Sequence, residues 1–113
     1  MVEVRAIVRR ELVDRVVKTV KEAGMPRLTV SRVHAIGAGV DPASVRLSWE
    51  EGTEYAEKAL VQCICPEERG EMLVELICRA ARSGRKGDGI VYVQPVLSVT
   101  KIRTGVQGDQ ALG

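Results

Sequence analysis

The chain has 113 residues, which is long enough for one hydrophobic core and one domain. Its 17 lysines and arginines stand against 15 acidic residues, and it has one tryptophan, two tyrosines and no phenylalanine. A formal net charge of +2 and so few aromatic rings exclude nucleic acid as an expected partner, because nucleic-acid binding uses a large positive surface and stacking platforms.

Residues 1–5 lack a signal-peptide pattern, and no apolar run approaches the roughly 18 residues that a membrane span needs. The three cysteines are an odd number, which does not suggest a disulfide framework. We therefore expect a cytoplasmic protein with reduced thiols and no direct membrane insertion.

The first half of the chain alternates between strand and helix periods. Apolar residues recur at every second position over residues 2–8, which predicts a strand. Over residues 11–23 they recur at steps of three and four, which predicts an amphipathic helix that Gly24 ends. Alternation returns over residues 28–36 and predicts a second strand.

The second half repeats this order after a longer connection. Residues 37–57 contain three glycines, a proline and little apolar period, so we predict a long loop there. The next elements are a third strand at 61–65, a second helix at 67–82, a fourth strand at 90–95 and a polar tail at 98–113.

This order of elements predicts an α+β fold of the ferredoxin-like βαββαβ type, in a single domain spanning residues 1–113. Its four-stranded antiparallel sheet would carry both helices on one face. The other face would be uncovered in a monomer, so we expect the chain to oligomerise.

Residues 82–90 are the first candidate for a binding site, because SGRKGDG occupies positions 83–89, which we call the glycine loop. Its three glycines allow positive φ and bare N–H groups, and its two basic side chains suit a phosphate. Most glycine-rich turns before a strand only turn the chain. A second basic cluster, KIRTG at 101–105, strengthens the hypothesis because both segments can converge on one ligand.

Four segments together resemble the P-II family of nitrogen regulatory proteins. They are VRAIVR at residues 4–9, LTVS at 28–31, GRKGDG at 84–89 and IRTG at 102–105. The resemblance covers almost the whole chain and implies a homotrimer with adenine-nucleotide sites in the clefts between subunits. It also implies a sensor, in which the long loop docks on a target membrane transporter or metabolic enzyme.

The same resemblance implies roles for particular residues in the nucleotide site. The backbone of the glycine loop would face the phosphates, basic side chains of the neighbouring subunit would neutralise them, and strand residues would line the base and ribose. The nucleotide-binding residues implied in this way are Thr29, Gly37, Gln62, Ile64, Gly87, Asp88, Gly89, Lys101 and Arg103. No cofactor is expected to be permanently bound.

Three positions depart from the family pattern. Ile90 stands where a basic residue is usual, and Ala38 and Gly39 replace an Arg-Gln pair. The missing glutamine helps to hold magnesium with 2-oxoglutarate in the family, so magnesium is not expected here, and ADP or AMP should bind as well as ATP. Lys58 stands at the position of the lysine that binds 2-oxoglutarate in the family, so it is a candidate to bind a small anion. The alternative reading is a trimer that binds no adenine nucleotide and acts as a scaffold or senses an anion such as bicarbonate.

Within residues 37–57, five acidic residues stand against Arg46 alone, and Trp49 precedes Glu50 and Glu51. An exposed tryptophan among acids predicts a docking tip for a basic partner protein. In the alternative, Trp49 packs the loop back on the trimer and the acids keep it soluble. Glu51 holds the family's modifiable tyrosine position, so nucleotidylylation is not expected there.

The remaining reactive side chains favour structural roles. Cys63 and Cys65 share one face of a strand and, because zinc needs about four ligands, core packing is favoured over a metal site. A small metal-binding or weakly catalytic protein using these cysteines and His34 stays open as a third hypothesis. Arg9 and Arg10 are predicted to be a solvated pair. No spacing typical of catalysis is present, so we do not expect an enzyme.

Overall fold

The computed structural model describes residues 1–25, 27–37, 39–48 and 53–113. These form β1 (Val2–Arg9), α1 (Val13–Glu22), β2 (Thr29–Ala35), β3 (Val45–Ser48), β4 (Thr53–Cys65), α2 (Gly70–Ala81) and β5 (Ile90–Pro95). Short 3-10 helices lie at Arg10–Leu12, Pro42–Ser44, Glu67–Arg69 and Gly108–Leu112.

The strands form one antiparallel sheet in the order β2, β4, β1, β5. This order and the alternation of strands and helices confirm the predicted ferredoxin-like fold. Strand β3 adds a short fifth strand, which pairs with the start of β4. Ala56 of β4 pairs with both Ala35 of β2 and Val45 of β3, so β3 lies on the opposite edge of β4 from β2, beyond the end of β1.

The structure differs from the loop expected over residues 37–57. In the described part of that segment, Pro42–Ser44 form a 3-10 helix, and β3 pairs with the first four residues of β4 as the two arms of a hairpin. The β-forming residues of this hairpin are too few to show a clear period in the sequence. Pairing on the exposed edge of the long strand β4 favours the extended conformation, since strand formation depends strongly on the neighbouring strand.

The hydrophobic core lies between the sheet and the two helices. Every second residue of β1 and β4 points into it, and each helix contributes one apolar face, as the sequence periods predict. The buried side chains include Val4, Ala6, Val8, Val16, Val20, Val61, Cys63, Cys65, Leu73, Ile77, Ala80 and Ala81. Both helices therefore cover the same face of the sheet.

Helix α1 ends in the way its sequence predicts. Gly24 has φ +88°, and its N–H donates to the Lys21 carbonyl at 3.0 Å, while the Met25 N–H donates to the Val20 carbonyl at 3.3 Å. This pair of bonds is a Schellman cap, in which the left-handed residue is usually glycine. The chain can therefore reverse directly into β2.

The sheet face away from the helices, which we call the open face, carries both apolar and polar side chains. The register places Ile7 beside Leu60 and Ile90, and Arg5 beside Gln62 and Tyr92. Ile90 is 62% exposed. Among the described residues, no helix has the length and apolar character needed to cross a membrane.

Candidate functional site

The glycine loop is closed by the side chain of Asp88. One carboxylate oxygen accepts hydrogen bonds from the Ser83 N–H at 2.8 Å and the Gly84 N–H at 2.9 Å. The other accepts from Arg9 Nε at 2.9 Å and from the Ser83 hydroxyl. These hydrogen bonds, led by that of Ser83, hold the pKa of Asp88 well below its usual range. Both oxygens of the Asp88 carboxylate are thus hydrogen-bonded within the protein. Any ligand at the glycine loop would therefore contact the loop backbone.

Two glycines of this loop are required by close contacts. Gly89 has φ +97°, and a Cβ there would lie 1.7 Å from the Ile7 carbonyl oxygen. Gly87 has φ +101°, and a Cβ there would lie 2.8 Å from Asp41 Cβ. The loop therefore packs directly on β1 and on the segment before β3, and at both positions only glycine fits without a shift.

Arg9 corrects a prediction. Expected to be solvated, it is only 2% exposed and extends along the open face to the glycine loop. Its Nε donates to Asp88, its Nη2 to the Lys86 carbonyl at 2.7 Å, and its Nη1 to Asp41 at 3.4 Å. The prediction failed because the sequence around Arg9 does not reveal partners that lie 32 to 79 positions away. Arg10, by contrast, is partly exposed and pairs with Glu57.

Lys58 lies beside Arg9 in the strand register and is 4% exposed. Its ammonium donates a hydrogen bond to the Gly87 carbonyl. Burial, and after it the neighbouring Arg9 charge, lowers the pKa of Lys58. The candidate anion-binding lysine is thus already in contact with the glycine loop, and an anion would have to displace that bond.

A second group of predicted residues lies around a cavity of about 1000 Å³ between β2, β4 and the segment after β5. The predicted nucleotide-binding residues among its lining are Thr29, Gln62, Ile64, Lys101 and Arg103. Lys21 and Arg27 add two further positive charges, whereas among the described residues that line the cavity Glu3 alone is acidic. The cavity is therefore basic and suits an anionic ligand.

The basic cluster at 101–105 forms a turn at the edge of this cavity. The Lys101 N–H donates to the Val106 carbonyl and the Gly105 N–H to the Lys101 carbonyl, both at 2.8 Å. The Lys101 ammonium donates to the carbonyl of Gly113 at 3.0 Å. Arg103 is exposed, and among the described residues its guanidinium has no ion-pair partner, so it is free to contact a phosphate.

The predicted site residues therefore fall into two groups within one chain. Lys58, which contacts the glycine loop, and Gln62, which lines the cavity, are four residues apart on β4 and so about 13 Å apart. Gly37 follows β2 and is exposed, with φ +112°. A second, smaller pocket is lined by Asp88 and Gly89 but by none of the basic residues at 101–103. The two groups are therefore not joined by the basic cavity or by this pocket. Trp49, Glu50 and Glu51, predicted for partner docking, lie outside the described residues.

The cysteine prediction is confirmed for Cys63 and Cys65, which are both buried in the core. Burial raises the pKa of the Cys63 thiol to about 11, so it stays protonated at neutral pH. In the described part of the chain, no three His, Cys, Asp or Glu side chains group as metal ligands would. The His34 ring stacks on Tyr55, with ring centroids 4.0 Å apart.

Fold and site define a small α+β protein with a closed glycine loop at one end of the open face and a basic cavity at the other. The family model described as "Nitrogen regulatory protein P-II" matches residues 1–106. The chain belongs to this family of regulatory signalling proteins, which confirms the resemblance seen in its motifs.

Individual relatives are similar in sequence to this chain along nearly its whole length. Nitrogen regulatory protein P-II of Synechocystis sp. is 32% identical over 112 residues, covering 99% of this chain and 100% of the relative. Nitrogen regulatory protein GlnK2 of Haloferax mediterranei is 34% identical over 113 residues, covering 96% and 89%. Nitrogen regulatory protein P-II of Rhizobium meliloti is 30% identical over 112 residues, covering 99% and 100%.

Proposed function

We propose that this protein is a signalling protein that binds adenine nucleotides between the subunits of a homotrimer and regulates a partner transporter or enzyme. The observation that carries the proposal is the division of the predicted site into two groups at opposite ends of the open face. A cleft between subunits would bring the glycine loop of one chain to the basic cavity of the next. The two groups would then complete one site.

The chemistry of the two groups supports a nucleotide in this cleft. The cavity supplies Lys101 and Arg103 for phosphate oxygens and the Thr29 hydroxyl for the edge of a base. The glycine loop supplies backbone N–H groups, which bind phosphate oxygens without a side-chain charge. Ile90 follows the loop where a cation is usual in the family, so binding should depend less on the terminal phosphate, and ADP or AMP should bind as well as ATP.

The open face supports assembly into an oligomer. Ile7, Leu60, Ile64 and Ile90 lie on this face, where the two helices do not cover them. Ile102 is fully exposed, next to the basic residues of the cavity. Apolar surface of this kind marks an interaction surface, and the chain's own copies are its simplest partner. Three copies around an axis would bury it.

The β3–β4 hairpin is the proposed docking element for a target protein. Of the acidic residues that suggest a basic partner, Asp41 is paired with Arg9 and Glu57 with Arg10. In the described part of the hairpin, Glu54 is exposed and available to contact a partner. Docking through Trp49, Glu50 and Glu51 stays a prediction.

Magnesium bound together with 2-oxoglutarate does not fit the residues at this position. Gly39 has no side-chain oxygen to act as a ligand, and the ammonium of Lys58 is bonded to the Gly87 carbonyl.

The test is isothermal titration of the purified protein with ATP, ADP and AMP, each with and without magnesium, 2-oxoglutarate and bicarbonate, and with the mass in solution measured by light scattering. We expect a trimer and micromolar binding of at least one adenine nucleotide. A trimer that binds none of them would favour the scaffold or small-anion alternative. A monomer that binds none would refute the proposal.

A matched pair of variants tests the site itself. Arg103→Ala should weaken nucleotide binding about tenfold or more, because it removes a charge-assisted contact to phosphate worth about 1.5–3 kcal/mol. The control is Arg15→Ala, which removes an exposed arginine from α1 that lines neither the basic cavity nor the pocket beside the glycine loop. Equal affinities for the two variants would show that the 101–105 turn does not reach the ligand.

A further inference from the structure

Arg9 and Lys58 form an unusual pair, since two neighbouring cations are both buried at the end of the open face. Buried charges are costly unless they are paired, and here Asp41 and Asp88 lie against the Arg9 guanidinium. Both cations also donate to carbonyls of the glycine loop, Arg9 to that of Lys86 and Lys58 to that of Gly87. Exposed Glu11 also lies 3.9 Å from Arg9 Nη1, so two cations and three carboxylates are grouped beneath the loop.

These two contacts set the direction of two peptide groups. No peptide bond in the described residues is cis, and in a trans peptide the C=O and the following N–H point in opposite directions. Because the carbonyls of Lys86 and Gly87 point toward the cations, the N–H groups of Gly87 and Asp88 point away from these cations. Successive N–H groups that point the same way form a concave site for an anion.

Arg9 also contacts the base of the β3–β4 hairpin. Asp41 accepts from Arg9 Nη1 through one carboxylate oxygen, and its other oxygen accepts from the Ala43 N–H at 3.0 Å, capping the 3-10 helix that leads into β3. A Cβ placed on Gly87 would lie 2.8 Å from Asp41 Cβ, so the loop packs directly against Asp41. One guanidinium therefore holds both the glycine loop and the base of the hairpin.

We infer that Arg9 is a positioning residue of the proposed nucleotide site, which orients the phosphate-binding N–H groups and makes their position depend on Asp41 at the base of the hairpin. It acts through the loop and does not itself touch the ligand. This inference rests on the proposed function, because it assigns the N–H groups of Gly87 and Asp88 to a nucleotide phosphate. A partner that moves the hairpin would then alter the nucleotide site through Asp41 and Arg9.

The first test uses the ligand-free protein and needs no nucleotide. Arg9→Lys keeps one charge but cannot hold Asp88, Asp41 and the Lys86 carbonyl at once, since an ammonium lacks the planar fork. Asp41→Asn keeps an oxygen for the Ala43 N–H but removes the charge that faces Arg9. In both variants, hydrogen exchange of the Ser83 and Gly84 amides, which donate to Asp88, should speed up about threefold or more.

Two controls separate positioning from a general loss of stability. Arg10→Lys makes the same change in the adjacent arginine, which pairs with Glu57, and should leave the Ser83 and Gly84 exchange rates unchanged. The buried Val61 amide of β4 reports opening of the core. If Arg9→Lys speeds exchange at Val61 by the same factor as at Ser83, its role is only structural and the inference is wrong.

The second test measures ADP binding. Arg9→Lys and Asp41→Asn should each weaken it about fivefold or more, the equivalent of one lost hydrogen bond, while Arg10→Lys should not. In the Arg9→Lys background, Asp41→Asn should have no further effect, because its influence passes through Arg9. Additive effects of the two changes would overturn the coupling. Wild-type protein that binds no adenine nucleotide would refute the proposed function, and the exchange rates would still decide whether Arg9 couples the loop to the hairpin.

Discussion

Replacing Gly89 with alanine should destabilise the protein more than any other single methyl group added to the glycine loop. The new Cβ would lie 1.7 Å from the Ile7 carbonyl oxygen and 2.9 Å from the Ile7 carbonyl carbon. Two such heavy atoms need more than 3 Å, so the start of β5 must move away from β1 and lose part of its pairing. Alanine must also adopt the positive φ of Gly89.

The magnitude follows from these two effects. A left-handed φ costs a residue other than glycine about 1 kcal/mol or somewhat more, and the shift of β5 should add roughly 2 kcal/mol from lost hydrogen bonding and packing. Gly84→Ala is the matched control, because Gly84 has φ +85° but no atom within 4 Å of its Cβ position. We therefore expect a loss of about 3 kcal/mol for Gly89→Ala and about 1 kcal/mol for Gly84→Ala.

Urea denaturation at one fixed protomer concentration measures both values, since the stability of an oligomer depends on concentration. The difference between the two variants isolates the clash with β1. If both variants lose the same free energy of unfolding within about 0.5 kcal/mol, the loop does not pack on Ile7 as described.

Three further predictions concern charge, packing and thiols. Because the pKa of Asp88 is lower in the folded than in the unfolded protein, its contribution to stability is complete above about pH 4 and is lost as the pH falls below that. Asp88→Asn should therefore be less stable than the wild type at pH 7. In urea melts at decreasing pH, it should lose less stability than the wild type does. Leu73→Ala should cost about 2–5 kcal/mol by urea denaturation because Leu73 is fully buried, whereas exposed Met72→Ala should cost less than about 1 kcal/mol. Cys63 and Cys65 should resist a thiol reagent at pH 8 and react on denaturation, since burial raises the pKa of both; rapid reaction at either of these two, as distinct from half-buried Cys78, would contradict their place in the core.

The fold was predictable because its information is local. Alternation in β1 and the three- and four-residue steps of α1 and α2 determine which side chains face the core, and the left-handed glycine after α1 marks where that helix ends. The β3 strand could not be found in this way. Its four residues are held by pairing with β4, and a strand so short has almost no period of its own.

The candidate site was predictable only in part. The glycines of the loop indicate a backbone with positive φ, and the family resemblance implies the roles of the cavity residues. The burial of Arg9 and Lys58 follows from contacts with residues 29 to 79 positions away, which no local pattern reveals. The sequence did contain one sign of this burial. Arg9 follows Glu3, Arg5 and Ile7 at every second position of β1, so all four lie on the open face of the sheet. A charged side chain on a sheet face needs a polar partner if it is buried.

The arrangement of charge explains why the glycine loop and the basic cavity would hold a phosphate by different means. Beneath the loop, Asp41, Asp88 and Glu11 offset the charges of Arg9 and Lys58, so the cluster adds no positive charge and the loop would bind a phosphate through its oriented N–H groups. Arg103, in contrast, is an exposed cation whose attraction to phosphate is screened by salt. In the proposed cleft, the cation would supply much of the affinity, while the loop would supply the orientation of the phosphate. In the part of the chain that the structure describes, Arg9 and Asp41 connect the loop, and not the 101–105 turn, to the β3–β4 hairpin, so the orientation of the phosphate is the property that a docked partner would sense.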